Sequence, residues 1–479
     1  MKFFFITLIS VFFLKITFAQ GYQITLQAPY YKSGIVYLTY YMGNSLSVVD
    51  STAFNSAGTA IFKGPDKLLG GIYAIVFPGK ELRTEFLLDK EQIINIKADI
   101  SDLLNKTVVT GSKENILYEQ YQKFVAGKGK LLQQEQLAYK ASKTKKDSLL
   151  HEKNYNDYNS QLNNYREGII KNYSTSLLAV LLTAMKEPPV PSLVPITLQD
   201  SISNYNFYKK NYWNGITFMD DRIIRTPFFL RKLENYYREI IPQVADSIIK
   251  DADYRLLLAR SSPEMYKFLL NWLTDEYINH KYMGLDAVFV HLFNKYHSKG
   301  ISNWLNEDQM ETISRRAYML MANLIGDKGA DLEMVDSTGI ASNLYNLNAD
   351  FIVICFWDPN CGHCREELPR LDSIYQASWK KHNVKIYAVL SPDEKENVKT
   401  DWTNFIKKHN LADWTHVYQT KEMENGERSI GKANYRQLYD ITSTPTLYLL
   451  DKDKRIVGKK LTILQLHELL ELKWKTNSN

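Results

Sequence analysis

Phe351-Ile352-Val353-Ile354-Cys355-Phe356-Trp357-Asp358-Pro359-Asn360-Cys361-Gly362-His363-Cys364 is an unbroken apolar run that ends in a Cys-x-x-Cys pair. The part from Phe351 to Trp357 has the length of a strand. Its continuity predicts a central parallel strand covered on both faces. The residues that follow have helical spacing, with Leu368, Leu371 and Tyr375 at i, i+3 and i+7. Cys361 would then stand at a helix N-terminus, where unpaired N–H groups and the helix dipole favour an anion. Its thiol should ionise more readily than a free one, which suits a redox nucleophile.

The chain around this stretch has 479 residues, too many for one core, so two or three domains are expected. Hydrophobic residues at 45% and charged residues at 23% are ordinary for folded soluble protein. Met1 to Ala19 begins with Lys2, runs apolar from Phe3 to Leu14 and ends in Thr17-Phe18-Ala19. That is the pattern of a secretory signal peptide cut after Ala19. Its removal takes the formal charge from +6 to +4, and no basic block with interleaved aromatics is present, which argues against nucleic-acid binding. No other segment approaches spanning length, so no stable membrane insertion is expected after cleavage. An exported chain carrying only Cys355, Cys361 and Cys364 has no disulfide scaffold, and its thiols look reserved for chemistry.

Residues 20–111 read as an all-β sandwich or barrel-like domain. Strand patterns at Tyr22 to Gln27, Ile35 to Tyr41, Thr59 to Lys63, Ile72 to Phe77, Glu85 to Leu88 and Ile93 to Ala98 are separated by Gly- and Pro-containing turns. Residues 112–325 read as all-α. The charged stretch Lys128 to Lys153 predicts one long solvated helix, paired with Tyr155 to Tyr173 as a hairpin. Pro188-Pro189-Val190-Pro191 predicts a rigid connector, and further helices are expected to follow it. His291 and His297 lie six apart, on different helix faces, and read as ordinary histidines rather than metal ligands. Gly326-Asp327-Lys328-Gly329 reads as a linker into residues 326–479, where strands alternating with helices predict a partly parallel sheet with helices on both faces.

A lone Cys-x-x-Cys could be half a zinc site, but there is no second pair, and Arg365 follows where haem attachment would need His. The strand-to-helix context favours redox chemistry without metal or organic cofactor. Phe356-Trp357, the Cys361/Cys364 pair, Pro369 and Thr444-Pro445-Thr446 before a strand together resemble the thioredoxin fold. Within it, Cys364-Arg365-Glu366-Glu367-Leu368-Pro369 resembles the extracytoplasmic TlpA-like thiol-disulfide oxidoreductases. The regions upstream resemble accessory domains of Gram-negative envelope proteins.

The resemblance implies a periplasmic enzyme acting on protein thiols and disulfides, with electrons from a membrane-bound donor and a redox-active Cys361–Cys364 disulfide. Cys361 attacks and the more buried Cys364 resolves. Trp357 precedes the site, Glu367 would assist proton movement at Cys364, and a cis Pro445 would place the Thr444 backbone where a substrate segment pairs. Glu367 can also be read as a solvated first-turn residue, and Cys355 as an inert buried thiol. His363 next to Cys361 stabilises the thiolate and makes the disulfide a better oxidant than a Gly-Pro dipeptide would. Reductase is the first expectation, and isomerase- or oxidase-like exchange is the alternative. A further reading makes residues 21–325 the binding part of a cell-envelope scaffold with an appended redox domain.

Overall fold

In this computed structural model, residues 21–191, 194–280, 282–392 and 398–477 are described. The expected signal peptide lies outside them. The chain has an N-terminal β-rich region, a middle helical region and a C-terminal α/β thioredoxin-like region. It divides into two compact units, the first running to Ile241 with 257–266 and the second comprising 242–256 and 267–479.

The first unit begins with eight strands: β1 (Tyr22–Gln27), β2 (Ile35–Met42), β3 (Ser45–Ala53), β4 (Thr59–Gly64), β5 (Gly71–Val76), β6 (Arg83–Leu88), β7 (Ile93–Lys97) and β8 (Val108–Thr110). They form two four-stranded sheets, in the orders β4-β1-β7-β8 and β3-β2-β5-β6. Alternate residues Ile24, Leu26, Val36, Leu38, Phe62, Ile75, Phe86, Ile94 and Ile96 meet in one core. Strands β3 and β8 were not among those expected. Ser45–Ala53 is polar and half-exposed over most of its length, so it lacks the apolar alternation that marks a strand.

The helical hairpin is present, but its turn lies elsewhere than expected. The helices are Lys113–Ala141 and Lys145–Asn172, so the break falls inside the stretch read as one helix. Ser142 leaves helical geometry, and the Thr144 hydroxyl caps the second helix by accepting from the Asp147 N–H at 3.2 Å. A charged surface hides such a turn because neither apolar spacing nor Gly or Pro marks it. Glu114 accepts the Leu177 N–H at 3.1 Å, tying the hairpin to a short apolar helix, Leu177–Ala184, that was not anticipated.

The second unit contains β9 (Val335–Asp336), β10 (Phe351–Trp357), β11 (Val384–Leu390), β12 (Thr415–Tyr418), β13 (Thr446–Asp451) and β14 (Ile456–Lys459), in a six-stranded sheet ordered β14-β13-β10-β11-β12-β9. β10 runs parallel to β11 and antiparallel to β13, and every one of its residues is buried. Its odd-numbered side chains face the helices Gly362–Ile374, Val398–Lys408 and Ile463–Asn477. Its even-numbered ones face Leu332, Met334, Leu344, Tyr439 and Tyr448.

The three long helices share one face, and the short helix Tyr435–Leu438 packs on the other, in keeping with the expectation of helices on both. β10, β11 and β12 are added in one direction, so right-handed crossovers bring both connecting helices to the same side. The opposite face is covered by the segment from Ala330 to Ala349 and the turn around Tyr439. Gly326 and Gly329 do not run free as a linker. Their N–H groups donate to Ile456 O and Lys454 O at 2.8 and 2.9 Å.

Candidate active site

β10 ends at Trp357, and the Asp-Pro-Asn turn after it is closed by its own polar groups. The Asn360 N–H donates to Asp358 Oδ1 at 2.8 Å, the Cys361 N–H to Asp358 O at 3.1 Å, and Arg365 Nε to Pro359 O at 2.8 Å. Asp358 was not singled out from the sequence. An Asx residue at a strand end followed by Pro is the turn signal that could have found it.

Cys361 is the N-cap of Gly362–Ile374, and Cys364 lies in the first turn, fully buried. All three cysteines are free thiols. Partial burial works against ionisation of Cys361. The backbone N–H groups of Cys364 and His363, with the side chains of Thr444 and Cys364, outweigh it and hold the thiol below its ordinary range. None of these N–H contacts amounts to a full capping hydrogen bond. Burial pushes the Cys364 thiol up to about 12, reinforced by Cys361. Cys355 lies on the same sheet face, and burial followed by the charge of Cys364 raises its thiol well above the usual range.

Across the site, the Thr444–Pro445 peptide is cis, and Thr444 O accepts a hydrogen bond from Cys361 Sγ at 3.3 Å. His363 is exposed on the helix start. Trp357 is buried, 5.2 Å from the Phe405 ring. Glu367 is half-buried and accepts from Arg370 Nη1 at 3.1 Å. Among the described residues no hydrogen bond joins it to either thiol. The structure thus brings Cys361, Cys364 and Thr444-Pro445 together, and leaves His363 and Glu367 at the margin. The two weighed histidines stand far from this chemistry in sequence and make their own bonds. His291 Nε2 lies 3.0 Å from Asp253 Oδ1, and His297 is held between Thr274 and Ser302 at 2.8 Å each.

A mixed sheet of this order, with a Cys-x-x-Cys pair at a helix start facing a cis-proline turn, defines a thioredoxin-like thiol-disulfide oxidoreductase domain. Residues 325–459 match the AhpC/TSA family, and this thioredoxin-like region is homologous to ResA-type thiol-disulfide oxidoreductases. Residues 22–118 match a family described only as a domain of unknown function, DUF4369. The thiol-disulfide oxidoreductase ResA of Bacillus cereus is 26% identical over 135 residues, which is 28% of this chain and 68% of that protein. A domain of a possible thiol-disulfide isomerase from Cytophaga hutchinsonii is 30% identical, covering 32% of this chain and 96% of the domain, with a TM-score of 0.28. The thioredoxin domain of a thiol-disulfide oxidoreductase from Bacteroides vulgatus is 25% identical, covering 31% of this chain and 95% of its own, with a TM-score of 0.26.

Proposed function

We propose that the protein exchanges disulfides with protein thiols in the periplasm, working in the reducing direction. The observation that carries this reading is the placement of two thiols three positions apart, Cys361 partly exposed at the helix N-cap and facing Thr444 O, and Cys364 fully buried behind it, with the first held below its ordinary range and the second above. The Cys361 thiolate attacks one sulfur of a substrate disulfide, forming a mixed disulfide and expelling a substrate thiolate that takes up a proton. Cys364 then loses its proton and attacks Cys361 Sγ. The Cys361–Cys364 disulfide forms and the second substrate thiol leaves. A membrane-bound dithiol donor of two electrons restores the pair.

Thr444 supplies the backbone against which an extended substrate segment pairs, with Pro445 setting the turn. Glu367 serves proton movement at Cys364 once its pairing with Arg370 opens. The periplasmic assignment rests on the sequence of Met1 to Ala19. Among the described residues no helix is long and apolar enough to cross a membrane.

Dithiothreitol-driven insulin reduction by the full chain should show turnover that Cys361→Ser abolishes, and turnover unaffected by that change would overturn the proposal. A second reading, isomerase-like exchange, is favoured by the exposed His363 beside the attacking thiol. A reduction potential nearer to about −180 mV than to about −270 mV, together with repair of scrambled substrate, would select it. Saturable binding of a partner by residues 21–325 alone would favour the envelope-scaffold reading instead.

A further inference from the structure

The turn that carries Thr444 is pinned from outside the sheet. Asp440, four residues before Thr444, has a side chain only 1% exposed and a φ of 46°, a left-handed conformation unusual for a residue other than glycine. Both of its carboxylate oxygens are occupied. Arg316 Nη1, from the helix Glu307–Met321, donates to Oδ1 at 2.6 Å, and Lys460 Nζ donates to Oδ2 at 2.5 Å. Arg316 is itself oriented, because its Nε donates to Ile278 O at 3.1 Å. Further along the same polypeptide, Asn323 Nδ2 donates to Leu438 O at 3.0 Å. On the far side of the turn the Lys460 N–H donates to Leu447 O at 2.7 Å, and the Tyr448 hydroxyl donates to Tyr439 O at 2.5 Å. The backbone is held on both flanks, while Thr442 and Ser443 are exposed and Thr444 and Pro445 half-exposed.

We propose that Arg316 and Asp440 are positioning residues that hold the Thr444 turn in register for an extended substrate segment. The helical region before the thioredoxin-like sheet thereby takes part in substrate binding. This rests on the reading that Cys361 attacks disulfides in polypeptides. The physical reason is geometric. A substrate strand pairing with the Thr444 backbone needs donors and acceptors placed to within a fraction of an ångström, and a turn of exposed residues gets that precision only from its anchors. Arg316 gives the carboxylate one N–H from a guanidinium whose plane is itself fixed by the bond to Ile278 O, and Lys460 alone would hold it as a point charge.

The test uses the full chain with two substrates: a peptide whose disulfide is flanked by extended residues, and hydroxyethyl disulfide, which has no backbone to pair. Arg316→Gln should raise KM for the peptide by about 5-fold or more, with kcat and the rate on hydroxyethyl disulfide within about 2-fold of the unmodified chain. Arg316→Lys should recover part of the peptide affinity. An unchanged peptide KM overturns the proposal, and so does an equal fall on both substrates, which would signal only general loss of structure. If Arg316→Gln does not fold, Lys460→Gln, whose parent side chain is 37% exposed, carries the same expectation and the same overturning results. No Cys361-dependent exchange by the unmodified chain would remove the underlying reading, a result separate from either of these.

Discussion

Cys361 and Cys364 are the same residue type in one turn of helix, and they differ because one sits before the first helical N–H groups and the other is buried in the core against the central strand β10. In reduced protein at pH 8, iodoacetamide should label Cys361 alone, and its rate should plateau at a pH below that of a free thiol, about 8.5. Comparable labelling of Cys364 on mass spectrometry would contradict the assignment. Cys364→Ser should still take up substrate and accumulate the mixed disulfide, visible as a mass adduct on Cys361.

His297 makes a separate prediction at the same scale. Burial lowers it from its ordinary 6.5 to about 4, so between these values the unfolded chain binds a proton that the folded one refuses. Its contribution to stability is complete above about pH 6.5 and is lost as pH falls toward 4. Urea midpoints should decline through that window, and less steeply in His297→Gln.

At the scale of elements, β10 was legible because being buried on both faces leaves an uninterrupted apolar run. Ile354, fully buried on its even-numbered face, should cost about 2–5 kcal/mol as Ile354→Ala, read from chemical denaturation. A change under about 1 kcal/mol would show that the strand is not the centre of its core. The hairpin break at Ser142–Thr144 and the strand Ser45–Ala53 were not legible, since hydroxyl caps and half-exposed polar residues leave no periodic signal. Strand β12 is only four residues long, with one buried, too short for alternation to be read. The pair of thiols belongs to the same lesson. Their position at a helix start could be read from spacing, whereas the Thr444 carbonyl that faces Cys361 is 83 residues away in sequence.

At the scale of the whole molecule, the thioredoxin-like sheet does not end at its own edge. Lys459 on β14 is buried, with its ammonium held by Asp286, by Asn323 O at 2.8 Å and by Asn323 Oδ1 at 2.9 Å. Burial lowers its pKa, partly offset by Asp286. Asp286 Oδ1 is itself buried without a partner among the described residues. Lys459→Met should cost on the order of 3–5 kcal/mol, because it strands a buried carboxylate. The double change Lys459→Met with Asp286→Leu should recover most of that loss, since a buried ion pair is often no better than apolar packing. Stability curves of the two single variants and the double variant check this, and additive losses would refute it.

By itself, the sequence determined the order of a β-rich, a helical and an α/β region, the central strand with its two thiols, and the thioredoxin-like class. Each of these is written in local periodicity, turn residues or a short spaced motif. The tertiary structure alone decided that the long helices share one sheet face, that Arg316 meets Asp440, and that Lys459 meets Asp286. Handedness of crossovers and the meeting of charges more than a hundred residues apart are properties of packing in three dimensions. No pattern within one segment encodes them.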